Sequence, residues 1–323
     1  VLILSAIPVF EASSALANRL CALMKKPRII PKLKFDSPFG VPDDCKTLTV
    51  ITTILFGGEH DRALFERLEK FYLCNKDKNL LFGILCDLKE SDTEHDKNDN
   101  KIISDAQKAI DGLNKKYGSS FFLFVRERVY SQTQNCYMGY ERKRGAVIEL
   151  CRFIKGINTS VKYFSGSRNA LEGIKYIVTL DSDTDMGIGQ LSQLCGAMAH
   201  PLNSPVIDCK GGRFYVKSGY GILQPRMSYG LVPAGKTSFC VLKSGAGGKD
   251  VYSGASFDIY QSFFGNGMFC GKGIFDIDAF LKVIDGAFPD GRILSHDILE
   301  AIMFGSLSSS CASFIRRWVS LPS

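Results

Sequence analysis

The sequence predicts an α/β fold built on a mostly parallel central sheet. Three observations predict it: apolar, β-branched runs stand at 47–55, 80–88, 121–130 and 174–180, amphipathic stretches lie between them, and acidic residues follow where runs end. Strands alternating with helices build βαβ units with right-handed crossovers, and the carboxyl edge of such a sheet is where ligands bind. Length and composition agree: 323 residues with 45% hydrophobic and 23% charged side chains make one large globular domain or two ordinary ones. Lys and Arg number 40 against 33 Asp and Glu, a net charge of +7. That surplus is too mild, and too free of arginine-rich tracts, to argue for nucleic acid; an anionic small substrate or membrane face fits it better. Eleven cysteines without a CxxC pair read as reduced, small apolar residues.

Each element follows in order. Residues 1–26 are expected as a membrane-exit or amphipathic helix, because the apolar VLILSAIPVF leads into a helix-forming stretch that ends on Lys25 and Lys26. That apolar start is either the cut end of a membrane helix or an ordinary buried helix. Residues 27–46 hold four prolines and read as an extended linker or strap. The regular domain is expected over 47–310. TLTVITTIL (47–55) is a strand buried on both faces, 59–74 a helix, and LLFGILCDL (80–88) a second strand that runs out at Asp87. A solvated loop over 89–101 precedes a helix beginning at Ile102, then FFLFVRERVY (121–130), a helix over 145–156, and IKYIVTL (174–180). Residues 311–323 form an atypical tail.

The chemistry begins where the fourth run stops, at Asp181-Ser182-Asp183-Thr184-Asp185. Two carboxylates one residue apart can share a hard cation, which leaves positions open for diphosphate oxygens. An EF-hand loop would need Gly and Glu where Met186 and Ser192 stand. A solvated strand end is the plain alternative. Asp87 reaches the same sheet edge, where it is either a loop cap or an acceptor for a uracil or ribose. Lys143 and Arg144 precede an apolar helical stretch and suit a diphosphate, or a solvated helix start. Gly219 to Arg226 offers amide and guanidinium donors, and Gly271-Lys272-Gly273 marks a loop over a pocket or a tight turn. Asp297, after Ser295 and His296, is a helix N-cap or a general base.

The order of these motifs resembles the glycosyltransferase domain of the cyclic β-1,2-glucan synthases, family 84 of the glycosyltransferases, related to the processive family 2 enzymes. It is carried by VPDDC (41–45), FERLEKFYL, MGYERKRGA (138–146), VTLDSDT (178–184), MAHPLN (198–203), GYGILQPR (219–226), GKGIFDIDAF (271–280) and LSHDILE (294–300). The resemblance implies a GT-A fold, UDP-glucose as donor, Mg²⁺ or Mn²⁺ as cofactor, and inverting transfer of glucose to a growing β-1,2-glucan acceptor. Residue by residue it implies Asp181 and Asp183 on the metal, and Thr53 and Asp87 on the uridine. Lys143, Arg144, Gln224, Pro225 and Arg226 would line the donor pocket, with Asp181. Asp297 would be the catalytic base, with His296, Gly271 and Lys272 on the acceptor side. It also implies the cytoplasmic face of the bacterial inner membrane, within a multi-pass membrane protein. A family 2 synthase of another β-glycan and a non-catalytic nucleotide-sugar-binding fragment are the alternatives. The family continues into a QxxRW-like segment, whereas this chain stops at LPS, so a C-terminal truncation is expected. Arg316-Arg317-Trp318 lacks the upstream Gln and receives no role.

Overall fold

The computed structural model describes residues 2–24, 30–35, 38–229, 238, 269, 271–287 and 307–316. Its centre is the expected βαβ series. Strand β1 (Thr47–Leu55), helix α2 (Glu59–Cys74) and strand β2 (Leu80–Leu88) have the bounds that periodicity assigns. Helix α3 (Asp99–Tyr117), strand β3 (Phe121–Arg126), helix α4 (Arg142–Ile154) and strand β7 (Tyr176–Asp181) complete a parallel block in the order β3-β2-β1-β7. Antiparallel strands flank it. On one side lies β6 (Val161–Ser165), and on the other β12 (Gly273–Asp276), then β11 (Ile222–Tyr229), β13 (Leu307–Arg316) and β8 (Thr184–Met186), making nine strands. Strands β11 and β13 pair parallel to each other, while β8 runs antiparallel to β13. Two short ribbons stand outside the sheet, β4 (Val129–Ser131) with β5 (Cys136–Met138), and β9 (Val206–Lys210) with β10 (Arg213–Ser218).

Alternation along the strands sorts two cores, one on each face. Ile51, Phe82, Leu123 and Val178 pack with α2, α3 and α5 (Gln190–Met198); Leu48, Leu81, Phe122 and Ile177 pack with α4 and α6 (Ile277–Ile284). Burial on both faces is why the parallel runs are nearly continuous in apolar residues.

One expectation is modified, and one strand was not foreseen. The third run is not one strand over 121–130: it stops at Arg126, and Val129–Ser131 turns into the β4–β5 ribbon. The ladder slips between Val125 and Arg126; Arg126, its last residue, turns its side chain to Asp87, and Arg128 beyond it turns to Asp99. Arg128 donates to both oxygens of Asp99 at 2.5 and 3.0 Å and to the carbonyls of Lys89 and Glu94, which ties the 89–98 loop to the sheet. Strand β6 escaped the reading because its residues are only partly buried and carry no strong apolar run. At the amino end, α1 (Leu2–Met24) is one helix with Pro8 inside it, and Val9, Phe10, Leu16, Leu20, Leu23 and Met24 face outward. Among the described residues no helix is long and apolar enough to cross a membrane.

The proline-rich stretch is packed where it is described. Ile30, Phe35 and Val41 are buried, Leu33 donates its amide to the Gly196 carbonyl at 3.0 Å, and the Asn203 side chain donates to the Pro31 carbonyl at 2.8 Å. A Cβ on Gly196 would stand 2.1 Å from the Leu33 carbonyl oxygen. Gly196→Ala is therefore expected to push the strap off α5 and destabilise the protein by about 1–3 kcal/mol, read by urea unfolding. Among the described residues eight cysteines are free thiols, four of them buried.

Candidate functional site

Register and pleat bring the site together. In β1, β2, β3 and β7 the residues that point toward α4 include Leu48, Leu81, Phe122 and Ile177. Stepping by two from these toward the carboxyl ends reaches Thr52, Asp87, Arg126 and Asp181. Pairing of Thr52 with Asp181, and of Ile54 with Asp87, sets their heights along the edge. These strand ends open on a cavity of about 440 Å³ lined by Thr52, Thr53, Asp87, Lys143, Asp181 and Ser182, with Phe56, His60, Glu90, Gly139 and Arg142 among the rest.

One end of the cavity is built on a buried guanidinium. Arg126, fully buried, donates to both carboxylate oxygens of Asp87 at 2.7 Å, and to the backbone carbonyls of Tyr140 and Arg142 at 2.8 and 2.9 Å. Such a fork fixes a carboxylate in plane and position. Glu149 lies 4.0 Å behind it; burial pushes that carboxyl up, and Arg126 pulls the other way. The carbonyls that Arg126 holds belong to the turn entering α4, where Glu141 and Arg142 adopt left-handed backbone (φ 51° and 49°), a conformation kept only where surroundings impose it. Gly139 completes the contact, since a Cβ there would sit 2.3 Å from the Asp87 carboxyl. Arg142 reaches Glu90 at 3.2 Å across the rim. Asp61 takes the Phe56 and Gly57 amides and so holds the loop that carries Phe56.

The other end is built on Asp181. Its Oδ1 accepts from Lys143 Nζ, and its Oδ2 lies 2.5 Å from Lys272 Nζ. Burial raises the carboxyl, but the two ammonium groups outweigh it and hold the group below the usual carboxylate range. Lys143 also donates to the Gly271 carbonyl at 2.8 Å, which accepts from Thr179 Oγ1 at 3.2 Å. Asp183 follows in the turn between β7 and β8, where Thr184 Oγ1 donates to it at 3.4 Å. Asp185 turns elsewhere, to Arg67 and Lys70 at 3.7 and 3.8 Å.

Of the residues singled out in the sequence, Thr53, Asp87, Lys143 and Asp181 share the cavity. Arg144 does not line it: its side chain is buried and pairs with Glu141 at 3.0 Å. Gln224 and Pro225 lie on β11, two strands beyond β7, also outside the cavity lining; Arg226 is placed on that strand by its backbone. Lys272, not itself on the cavity lining, reaches Asp181 from the loop that precedes β12. His296 and Asp297 lie outside the described residues. Arg126 was missed, although alternation from Phe122 and Phe124 points it at the same face and edge as Asp87. Among the described residues one group, Glu94, His95 and Glu127, gathers three side chains at metal-binding separation, but it is largely exposed and lies away from this cavity.

No protein-family model matches the chain. A curated protein, cyclic beta-(1,2)-glucan synthase NdvB of Rhizobium meliloti (strain 1021), is 32% identical over 304 residues, 93% of this chain. The chain is a relative of the cyclic β-(1,2)-glucan synthases. It spans 11% of the length of that synthase. Among solved structures, an active-site mutant of LgtC aligns with 81% of this chain and 72% of its own, at 8% identity and a TM-score of 0.30. So low a score carries no argument, and the α/β class stands on the observed sheet order.

Proposed function

We propose that this chain transfers glucose, with inversion, from UDP-glucose to the end of a growing β-1,2-glucan. The observation that carries the reading is the convergence of Thr53, Asp87, Lys143 and Asp181 on one cavity at the carboxyl edge of four parallel strands. That placement suits a GT-A fold, in which the nucleotide lies across the strand ends. Asp87, held in plane by Arg126, is aimed to accept from the uracil or ribose, and Thr53 lines the same cavity. Lys143 and Lys272 supply positive charge for the diphosphate.

The residues fit a hard divalent cation. Asp181 is held ionised and already attracts two cationic groups to its oxygens, and Asp183 adds a second carboxylate from the adjoining turn. Asp181 and Asp183 would hold Mg²⁺ or Mn²⁺, which when bound neutralises charge on the departing diphosphate. This chain's own side chains do the rest. Asp87 orients the nucleoside, the ammonium groups draw the diphosphate to the sheet edge, and Asp297 takes the proton from the attacking 2-hydroxyl on the face opposite UDP. We place this reaction at the cytoplasmic face of the bacterial inner membrane, in a larger multi-pass protein; the outward apolar side chains of α1 support a membrane or protein neighbour.

UDP release from UDP-glucose with Mg²⁺ or Mn²⁺ and a glucan acceptor tests the reading on the complete synthase, and linkage analysis separates a β-1,2 product from another β-glycan. Binding of UDP without any release on adding acceptor would favour a binding fragment instead. Asp297→Asn is expected to leave UDP affinity unchanged and to slow transfer by about 10²–10⁴-fold, the usual worth of a positioned base. Near-normal turnover in that variant would remove Asp297 from the mechanism.

A further inference from the structure

We propose that Lys272 is a donor-side latch: with Lys143 it holds Asp181 while the site is free of donor, and it passes its ammonium to the diphosphate when donor and cation arrive. The proposal rests on the reading above, that the cavity takes a nucleoside diphosphate. It starts from an imbalance. One carboxylate, Asp181, faces two ammonium groups, whereas Glu90 faces the single guanidinium of Arg142 and Arg126 is shared by Asp87 and Glu149. The Lys272 side chain is only 6% exposed, and an ammonium so far from water must keep an anionic or carbonyl partner. On Asp181 itself the ammonium groups outnumber the carboxylate two to one, and a diphosphate is an anion that would take up the second.

A divalent cation and the Lys272 ammonium ask for the same carboxylate and repel each other, so both cannot hold it closely. The latch has somewhere to go. Lys272 sits one residue ahead of β12, and its neighbour Gly271 is tied by its carbonyl to Lys143 and to Thr179 on β7. The ammonium can swing from carboxylate to diphosphate while the backbone beneath it stays bolted to the strand. This reassigns Lys272 from the acceptor side to the donor side.

The test is Mn²⁺ and UDP binding by calorimetry on the purified protein, in the wild type, Lys272→Met and Lys272→Arg. Removing one competing charge at contact distance is expected to tighten Mn²⁺ binding without nucleotide by about tenfold in Lys272→Met, and to weaken UDP binding in saturating Mn²⁺ by about tenfold or more. Lys272→Arg keeps the charge and is expected to stay near the wild type for Mn²⁺. Unchanged or weaker Mn²⁺ binding in Lys272→Met, with UDP still bound by the wild type, would overturn the latch and leave the proposed function standing. Failure of the wild type to bind UDP would instead overturn the nucleotide reading itself. Thermal unfolding checks each variant, and Lys272→Gln replaces the Met variant if the latter does not fold.

Discussion

Arg126→Met is expected to destabilise the protein by about 3–5 kcal/mol and to abolish UDP binding, because it strands Asp87 and Glu149 in a buried pocket without their shared cation. Both effects trace to one side chain that performs two tasks. As a fork it compensates buried carboxylates, and as a donor to the Tyr140 and Arg142 carbonyls it holds the left-handed turn that delivers Lys143 to the cavity. Urea unfolding reads the first effect and UDP calorimetry the second. Arg126→Lys, which keeps the charge but loses the fork, is expected to recover part of the stability and little of the binding. Arg126→Met combined with Asp87→Asn should be more stable than Arg126→Met alone, since the uncompensated charge is then gone. If the single variant unfolds at the wild-type urea concentration, Arg126 does not hold the site as described.

Asp183→Ala is expected to remove metal-dependent UDP binding. Its side chain is partly buried in the turn after β7, where it accepts a hydrogen bond from the neighbouring Thr184 hydroxyl at 3.4 Å. UDP titrations with and without Mn²⁺ check it: an undiminished dependence on Mn²⁺ in Asp183→Ala would take Asp183 out of the cation site.

Much of the scaffold was legible because its signals are local. A strand buried on both faces needs a continuous apolar run, and β1 and β2 carry such runs with no competing period. The third run shows the limit. Arg126 closes β3 and Arg128 lies just beyond it, and their partners Asp87 and Asp99 stand far away in the sequence and meet them only in the fold. The same holds for Arg144. By position it looks like a second cation for the diphosphate, but the turn of α4 sends it inward to Glu141, while Lys143 beside it faces the cavity. Residues adjacent on a helix point about 100° apart, so a basic cluster cannot all face one ligand.

By itself the sequence determined the βαβ order, the strands whose carboxyl ends carry Asp87 and Asp181, and the series of motifs shared with the cyclic β-(1,2)-glucan synthases. Only the tertiary structure decided which charges meet: Arg126 on Asp87, and Lys143 with Lys272 on Asp181. The reason is range. Periodicity and turn chemistry act over a few residues, whereas these ion pairs join positions 38 to 91 residues apart, and their geometry exists only once the strands stand side by side in register.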